Sequence, residues 1–183
     1  MDEQKHIVFL AGFMGSGKST IGPELAKRLH YEFIDIDCMI EESEKSSIAE
    51  IFDRHGEEYF RSLEQEMLNR FSHIEKRMVV ALGGGTLEAE GNRMTVKRDG
   101  VLVYVRANRR EILARVQNRK DRPMLLGPKG EILDESQLSR RVESLLRERE
   151  KHYLEANIIV NTANLEVPET VEEIASKLRG KIE

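Results

Sequence analysis

The stretch Ile7-Val8-Phe9-Leu10-Ala11-Gly12-Phe13-Met14-Gly15-Ser16-Gly17-Lys18-Ser19-Thr20 decides the fold. Ile7 to Leu10 read as a buried strand. From Gly12 the chain then matches G-x-x-x-x-G-K-[ST], in the strand, loop, helix order that gives the pattern its meaning. Glycines at 12, 15 and 17 let the backbone curl so that its N–H groups point into a cavity, and the following helix adds its positive end. The result is an anion nest for a nucleotide, with Gly15, Ser16, Gly17 and Thr20 around the phosphates and Lys18 reaching the β and γ groups. Ser19 offers a hydroxyl to Mg²⁺, a hard ion that takes oxygen ligands. A chance glycine-rich turn opening a helix is the plainer alternative.

Outward from this loop, four more short apolar runs recur: Phe33 to Ile36, Met78 to Leu82, Val101 to Val105 and Ile158 to Val160. Their β-branched content and lack of in/out alternation suit strands covered on both faces. Between them lie helical patterns over Ser19–His30, Ser47–Phe71, Glu88–Arg98, Asn108–Asn118, Glu135–Tyr153 and Pro168–Leu178. Ser47 with Glu50 has capping-box spacing, Asn108 is a candidate N-cap, and His55-Gly56 is expected to break the longest pattern in two. Leu138, Val142, Leu145 and Leu146 trace a core-facing stripe. The expected architecture is an α/β sandwich of three layers around a five-stranded parallel sheet. Arg119 to Gly130, with Pro123, Gly127 and Pro128, has no helical period and reads as a surface loop or lid.

Composition narrows the partners. The 183 residues fit one domain, with 39% hydrophobic and 34% charged residues arguing against disorder. Lys and Arg number 29 against 33 Asp and Glu, a net charge of −4 with pI near 5.8, which disfavours nucleic acid as the main partner. The single cysteine, Cys38, cannot close an internal disulfide and is expected to be a small buried hydrophobe; the five histidines show no zinc-ligand spacing. The chain opens on polar residues and carries no apolar run near the ~20 residues needed to span a bilayer. These features predict a soluble cytoplasmic monomer with no membrane partner.

Three further patterns bear on chemistry. Asp35-Ile36-Asp37 closes the second strand run, so both carboxylates would point to one side of an extended chain, or else Asp37 would cap a helix. Arg61 and Glu64 are an i, i+3 pair, either a surface salt bridge or a guanidinium held ready for a carboxylate. Gly83-Gly84-Gly85 add no packing and suggest close approach of backbone to something else, or else a plain flexible turn.

Together these residues resemble the shikimate kinase family. The resemblance rests on Gly12 to Gly22, Asp35-x-Asp37, Gly56-Glu57-Glu58-Tyr59-Phe60-Arg61 with Glu64, Ala81-Leu82-Gly83-Gly84-Gly85 and Arg122-Pro123-Met124-Leu125, in order, over about residues 6–160. It implies a nucleoside-monophosphate-kinase-like P-loop fold in one domain, 1–183, with a mobile lid at about 119–130 and an acceptor-binding helical region at about 37–64. It also implies transfer of the ATP γ-phosphoryl group, with Mg²⁺, to the 3-hydroxyl of shikimate in aromatic amino acid biosynthesis. By the same resemblance Lys18, Asp37 and Arg122 are catalytic, with Asp37 at the acceptor hydroxyl and Arg122 brought by the lid onto the phosphates. Ser19 and Asp35 would hold Mg²⁺. Arg61 and Arg149 would clamp the shikimate carboxylate beside Gly83, Gly84 and Gly85, with Glu64 orienting Arg61 and Phe52 and Phe60 near the ring. Arg115 would lie near the adenine, whereas Asn161 to Glu166 offers no basic residue for it. A gluconate-type kinase of the same fold, or a P-loop module that binds ATP without transfer, are the competing readings.

Overall fold

The computed structural model describes residues 6–71, 76–117, 121–127, 130–163 and 165–182. β1 (Ile7–Ala11) lies at the centre of five parallel strands, flanked by β3 (Met78–Ala81) and β4 (Gly100–Arg106). β2 (Glu32–Asp35) pairs outside β3 and β5 (Ile158–Asn161) outside β4, so the order is β2-β3-β1-β4-β5. Register runs Leu10 with Ala81 and Val103, and Asp35 with Ala81, which brings the carboxyl ends of the strands to one edge.

Both faces are covered, as the unbroken apolar runs require. Ile7, Phe9 and Ala11 of β1 point into one core, and Val8 and Leu10 into the other. Each such side chain, fully buried, contributes about 1.5–3 kcal/mol. α1 (Lys18–Leu29) and α7 (Val167–Leu178) close the Val8 side. The Phe9 side is closed by α2 (Ile36–Glu44), α3 (Ile48–Phe71), α4 (Glu90–Asp99), α5 (Arg109–Val116) and α6 (Glu135–Tyr153). Leu138, Val142 and Leu145 are buried on α6, with Leu146 packed against them. Ser47 and Glu50 exchange capping hydrogen bonds of 3.3 and 2.8 Å, and Asn108 accepts from the Glu111 N–H at 2.9 Å. No helix among the described residues is long and apolar enough to cross a membrane.

Some expectations need correction. α2 has no counterpart in the apolar pattern, and the second strand stops at Asp35 rather than Ile36. Cys38 is exposed, because it falls on the outer side of α2 while Ile36 and Ile40 take the inner one. The helix expected from Glu88 starts at Glu90, after a 3-10 turn over Thr86–Glu88. Within the expected lid, Pro123–Leu125 form a 3-10 turn and Leu126 bridges Ile132; Arg119, Lys120, Pro128 and Lys129 lie outside the described residues, as do Asn118 and His73.

The break at His55-Gly56 is present: Gly56 has φ 80° and ψ 177°, a region that L side chains avoid, and an added Cβ would touch nothing within 4 Å. Gly56→Ala therefore tests backbone strain without a clash. It is expected to lower stability by about 1–3 kcal/mol, seen as a lower urea midpoint with an unchanged slope.

Candidate active site

A parallel sheet of this kind binds ligands beyond the carboxyl ends of its strands, where the connections diverge. The phosphate loop follows β1, Asp35 ends β2, and the three glycines follow β3. They border a cleft of about 570 Å³ whose wall includes Gly15 to Thr20, Asp35, Asp37, Arg115 and Arg122. Lys18 is nearly buried and donates to the carbonyls of Gly12 (2.7 Å) and Phe13 (3.2 Å). Burial lowers its pKa to about 8 against the pull of Asp37 and Asp35. Arg115 Nη1 donates to the Gly15 carbonyl at 2.9 Å, so α5 holds the loop from outside. The far end of the cleft is formed by Thr162, Leu165, Val167 and Thr170, which the sequence reading missed. Small hydroxyl and apolar residues after a strand carry no distinguishing pattern.

Asp35 and Asp37 both face this cleft, though not as neighbours on a strand. Asp35 is the N-cap of α2: its Oδ1 accepts from the N–H of Asp37 (3.1 Å) and Cys38 (3.4 Å), while Oδ2 accepts from the Ser19 hydroxyl at 2.7 Å. Asp37 therefore stands in the first turn of a helix. Its Oδ2 lies 3.7 Å from Arg122 Nη1, and its Oδ1 is buried with no hydrogen-bond partner among the described residues. Burial, reinforced by Glu64 and Asp35 and opposed by Lys18 and Arg122, raises the Asp37 pKa to about 6.

Beyond Asp37 opens a smaller compartment bounded by Phe52, Phe60, Arg61, the glycine run and Arg149. The Arg61–Glu64 pair is no surface bridge. Glu64 is fully buried, accepts from Arg61 at 2.5 Å and from the Thr86 hydroxyl at 2.5 Å, and thereby fixes the guanidinium. Burial opposes the Arg61 charge, but Glu64 and Glu57 outweigh it and raise its pKa. The glycines answer to this crowding: a Cβ on Gly83 would strike the carboxylates of Glu64 and Asp37, and one on Gly85 the Arg61 guanidinium. Arg149 is 1% exposed, 5.9 Å from the centre of the Phe13 ring, and paired with Glu88 at 3.2 Å. Tyr153, one turn on, donates its hydroxyl to the Gly84 carbonyl. Glu88, Thr86 and Tyr153 were not singled out in the sequence; they follow the legible motifs by only a few residues but act through tertiary contacts.

The structure thus gathers Lys18, Ser19, Asp35, Asp37, Arg61, Gly83 to Gly85, Arg115, Arg122 and Arg149 around two adjoining compartments. The family model described as shikimate kinase matches residues 14–179. The chain belongs to the shikimate kinase family. A shikimate kinase of Chlorobaculum parvum is 43% identical over 176 residues, covering 96% of this chain and 94% of its own. Among solved structures, shikimate kinase from Acinetobacter baumannii in complex with shikimate superposes with a TM-score of 0.86 at 30% identity, covering 96% of this chain and 93% of its own. The shikimate kinase of Aquifex aeolicus gives 0.78 at 36% identity, covering 95% and 96%. Membership of the shikimate kinase family makes this chain an ATP-dependent kinase.

The Asp37 environment has a measurable cost. Between about pH 4 and 6 the folded protein holds a proton that the unfolded chain, with a value of 3.8, releases, so this group's contribution is fully present below about pH 4 and lost as pH rises through about 6. Asp37→Asn is expected to stabilise the ligand-free enzyme by about 1–2 kcal/mol at pH 7.5. In chemical denaturation the difference should vanish below about pH 4.

Proposed function

We propose that this chain transfers the γ-phosphoryl group of ATP to the 3-hydroxyl of shikimate, giving shikimate 3-phosphate for aromatic amino acid biosynthesis. The observation that carries the reading is the position of Asp37. With Met14, Gly84 and Arg122 it belongs to the wall of both compartments, and its Oδ1 has no hydrogen-bond partner among the described residues. An acceptor hydroxyl reaching from the smaller compartment toward the nucleotide passes this carboxylate.

Phosphoryl transfer needs alignment and positive charge more than covalent help. Arg61 and Arg149 bind the shikimate carboxylate, with Phe52 and Phe60 against the ring and the glycine backbone beneath it. Asp37 accepts the hydroxyl hydrogen at Oδ1 and takes the proton as the oxygen attacks phosphorus; the bond from the γ-phosphorus to its bridging oxygen breaks and ADP leaves. Lys18 exchanges its loop carbonyls for phosphate oxygens, and Arg122 adds a second cation. Arg115 lies toward the adenine. The paired oxygens of Ser19 and Asp35 are the hard donors that Mg²⁺ accepts, and two protein oxygens suffice for an ion that keeps waters and phosphate ligands. When bound, the ion neutralises charge on the phosphates. The segment at about 119–130 serves as the lid that carries Arg122, residues 37–64 form the acceptor side, and 1–183 work as a single domain. The enzyme works as a monomer in the cytoplasm.

ADP release with MgATP and shikimate, quinate, gluconate, AMP or no acceptor tests the reading: turnover is expected with shikimate. Turnover with gluconate or AMP instead would overturn the acceptor assignment. Asp37→Asn is expected to lower kcat about 10²- to 10⁴-fold with ATP binding retained. The parent kcat/KM should fall as pH drops through about 6, where Asp37 of the free enzyme gains its proton.

A further inference from the structure

Glu88 ends the 3-10 turn that follows the glycine run, and one of its oxygens spans both acceptor-side arginines. Oε2 lies 3.5 Å from Arg61 Nη2 and 3.2 Å from Arg149 Nη2. Arg61 already donates to Glu64 at 2.5 Å and makes two hydrogen bonds to Glu57, at 2.9 and 3.2 Å. Two guanidiniums therefore face three carboxylates before any acceptor arrives. A further carboxylate entering this cluster meets net repulsion unless one of the three withdraws.

The three are not held alike. Glu64 is fully buried and bonded to Thr86 as well as Arg61. Glu57 makes two hydrogen bonds to the same guanidinium. Glu88 has 35% of its side chain exposed, and its approach to Arg149 leaves Nε and Nη2 of that arginine without a hydrogen bond among the described residues. It supplies charge to a buried guanidinium without using up its donors.

We propose that Glu88 is an internal stand-in for the acceptor carboxylate, neutralising Arg149 in the empty pocket and swinging out to solvent when an anionic acceptor binds. This rests on the acceptor reading above and adds a specificity device to it. An acceptor with a carboxylate displaces Glu88 by making bidentate, charge-assisted hydrogen bonds to donors that Glu88 leaves open. A neutral polyol of similar shape has nothing to displace it with, and Arg149 keeps its pairing with Glu88.

Calorimetric titration of shikimate and of its uncharged methyl ester into the parent, Glu88→Gln, Glu88→Ala and Arg61→Lys enzymes tests this. Both Glu88 variants are expected to bind shikimate about three- to tenfold more tightly, the gain of relieving one partly exposed ion pair. Methyl ester and MgATP should bind as they do to the parent. Unchanged or weaker shikimate binding in both variants, or equal tightening for the methyl ester, would overturn the proposal. If Arg61→Lys weakens shikimate while neither Glu88 variant tightens it, the stand-in fails and the acceptor reading stands. If Arg61→Lys binds shikimate like the parent, the acceptor reading falls and the stand-in with it.

Discussion

A charge removed from water must be met by another charge or by fixed dipoles, and this constraint organises the carboxyl edge of the sheet. Lys18, Asp37, Glu64 and Arg149 are all buried or nearly so at that edge. Glu64 is satisfied by Arg61 and Thr86, and Lys18 by the carbonyls of its own loop. Among the described residues, Asp37 Oδ1 and Arg149 Nε and Nη2 have no hydrogen-bond partner. Both residues belong to the wall of the smaller compartment. The shifts of Lys18 to about 8 and Asp37 to about 6 are the thermodynamic trace of the same arrangement.

The frame that holds these charges is β1. Its flanks are covered by parallel neighbours and its faces by two helical layers, so its last residue is among the least movable points of the chain. The phosphate loop starts there, and the glycine run starts one register step away at the end of β3. Tyr153 and Arg149 then reach the same edge from α6, where the Tyr104 and Tyr153 rings lie 5.1 Å apart and tie that helix to β4.

What could be read in advance divides along physical lines. The five strands, the break at Gly56 and the caps at Ser47 and Asn108 depend on local periodicity and local hydrogen bonding, which the order of residues encodes directly. The phosphate loop was legible because one rigid ligand shape demands one spacing. Helix α2 was not: four acidic residues among its nine mask its apolar face, and its start depends on Asp35 turning from strand to cap. Arg61 with Glu64 left two readings open until burial decided between them, since spacing carries no depth. Glu88 looked like the start of a helix, and Thr162 and Leu165 like ordinary loop, because their partners lie far along the chain.

Asp35 holds two offices with one carboxylate. One oxygen terminates α2 and so fixes the turn that presents Asp37; the other steadies Ser19 on the phosphate loop. Loss of the side chain would thus be read in an activity assay as loss of a ligand, although half of the damage is to a helix boundary. Asparagine could keep the cap and lose the anion, whereas glutamate would keep the anion and misplace the cap by a methylene. No other side chain keeps both duties at once, so the start of α2 and the seating of the phosphate loop hang on one carboxylate.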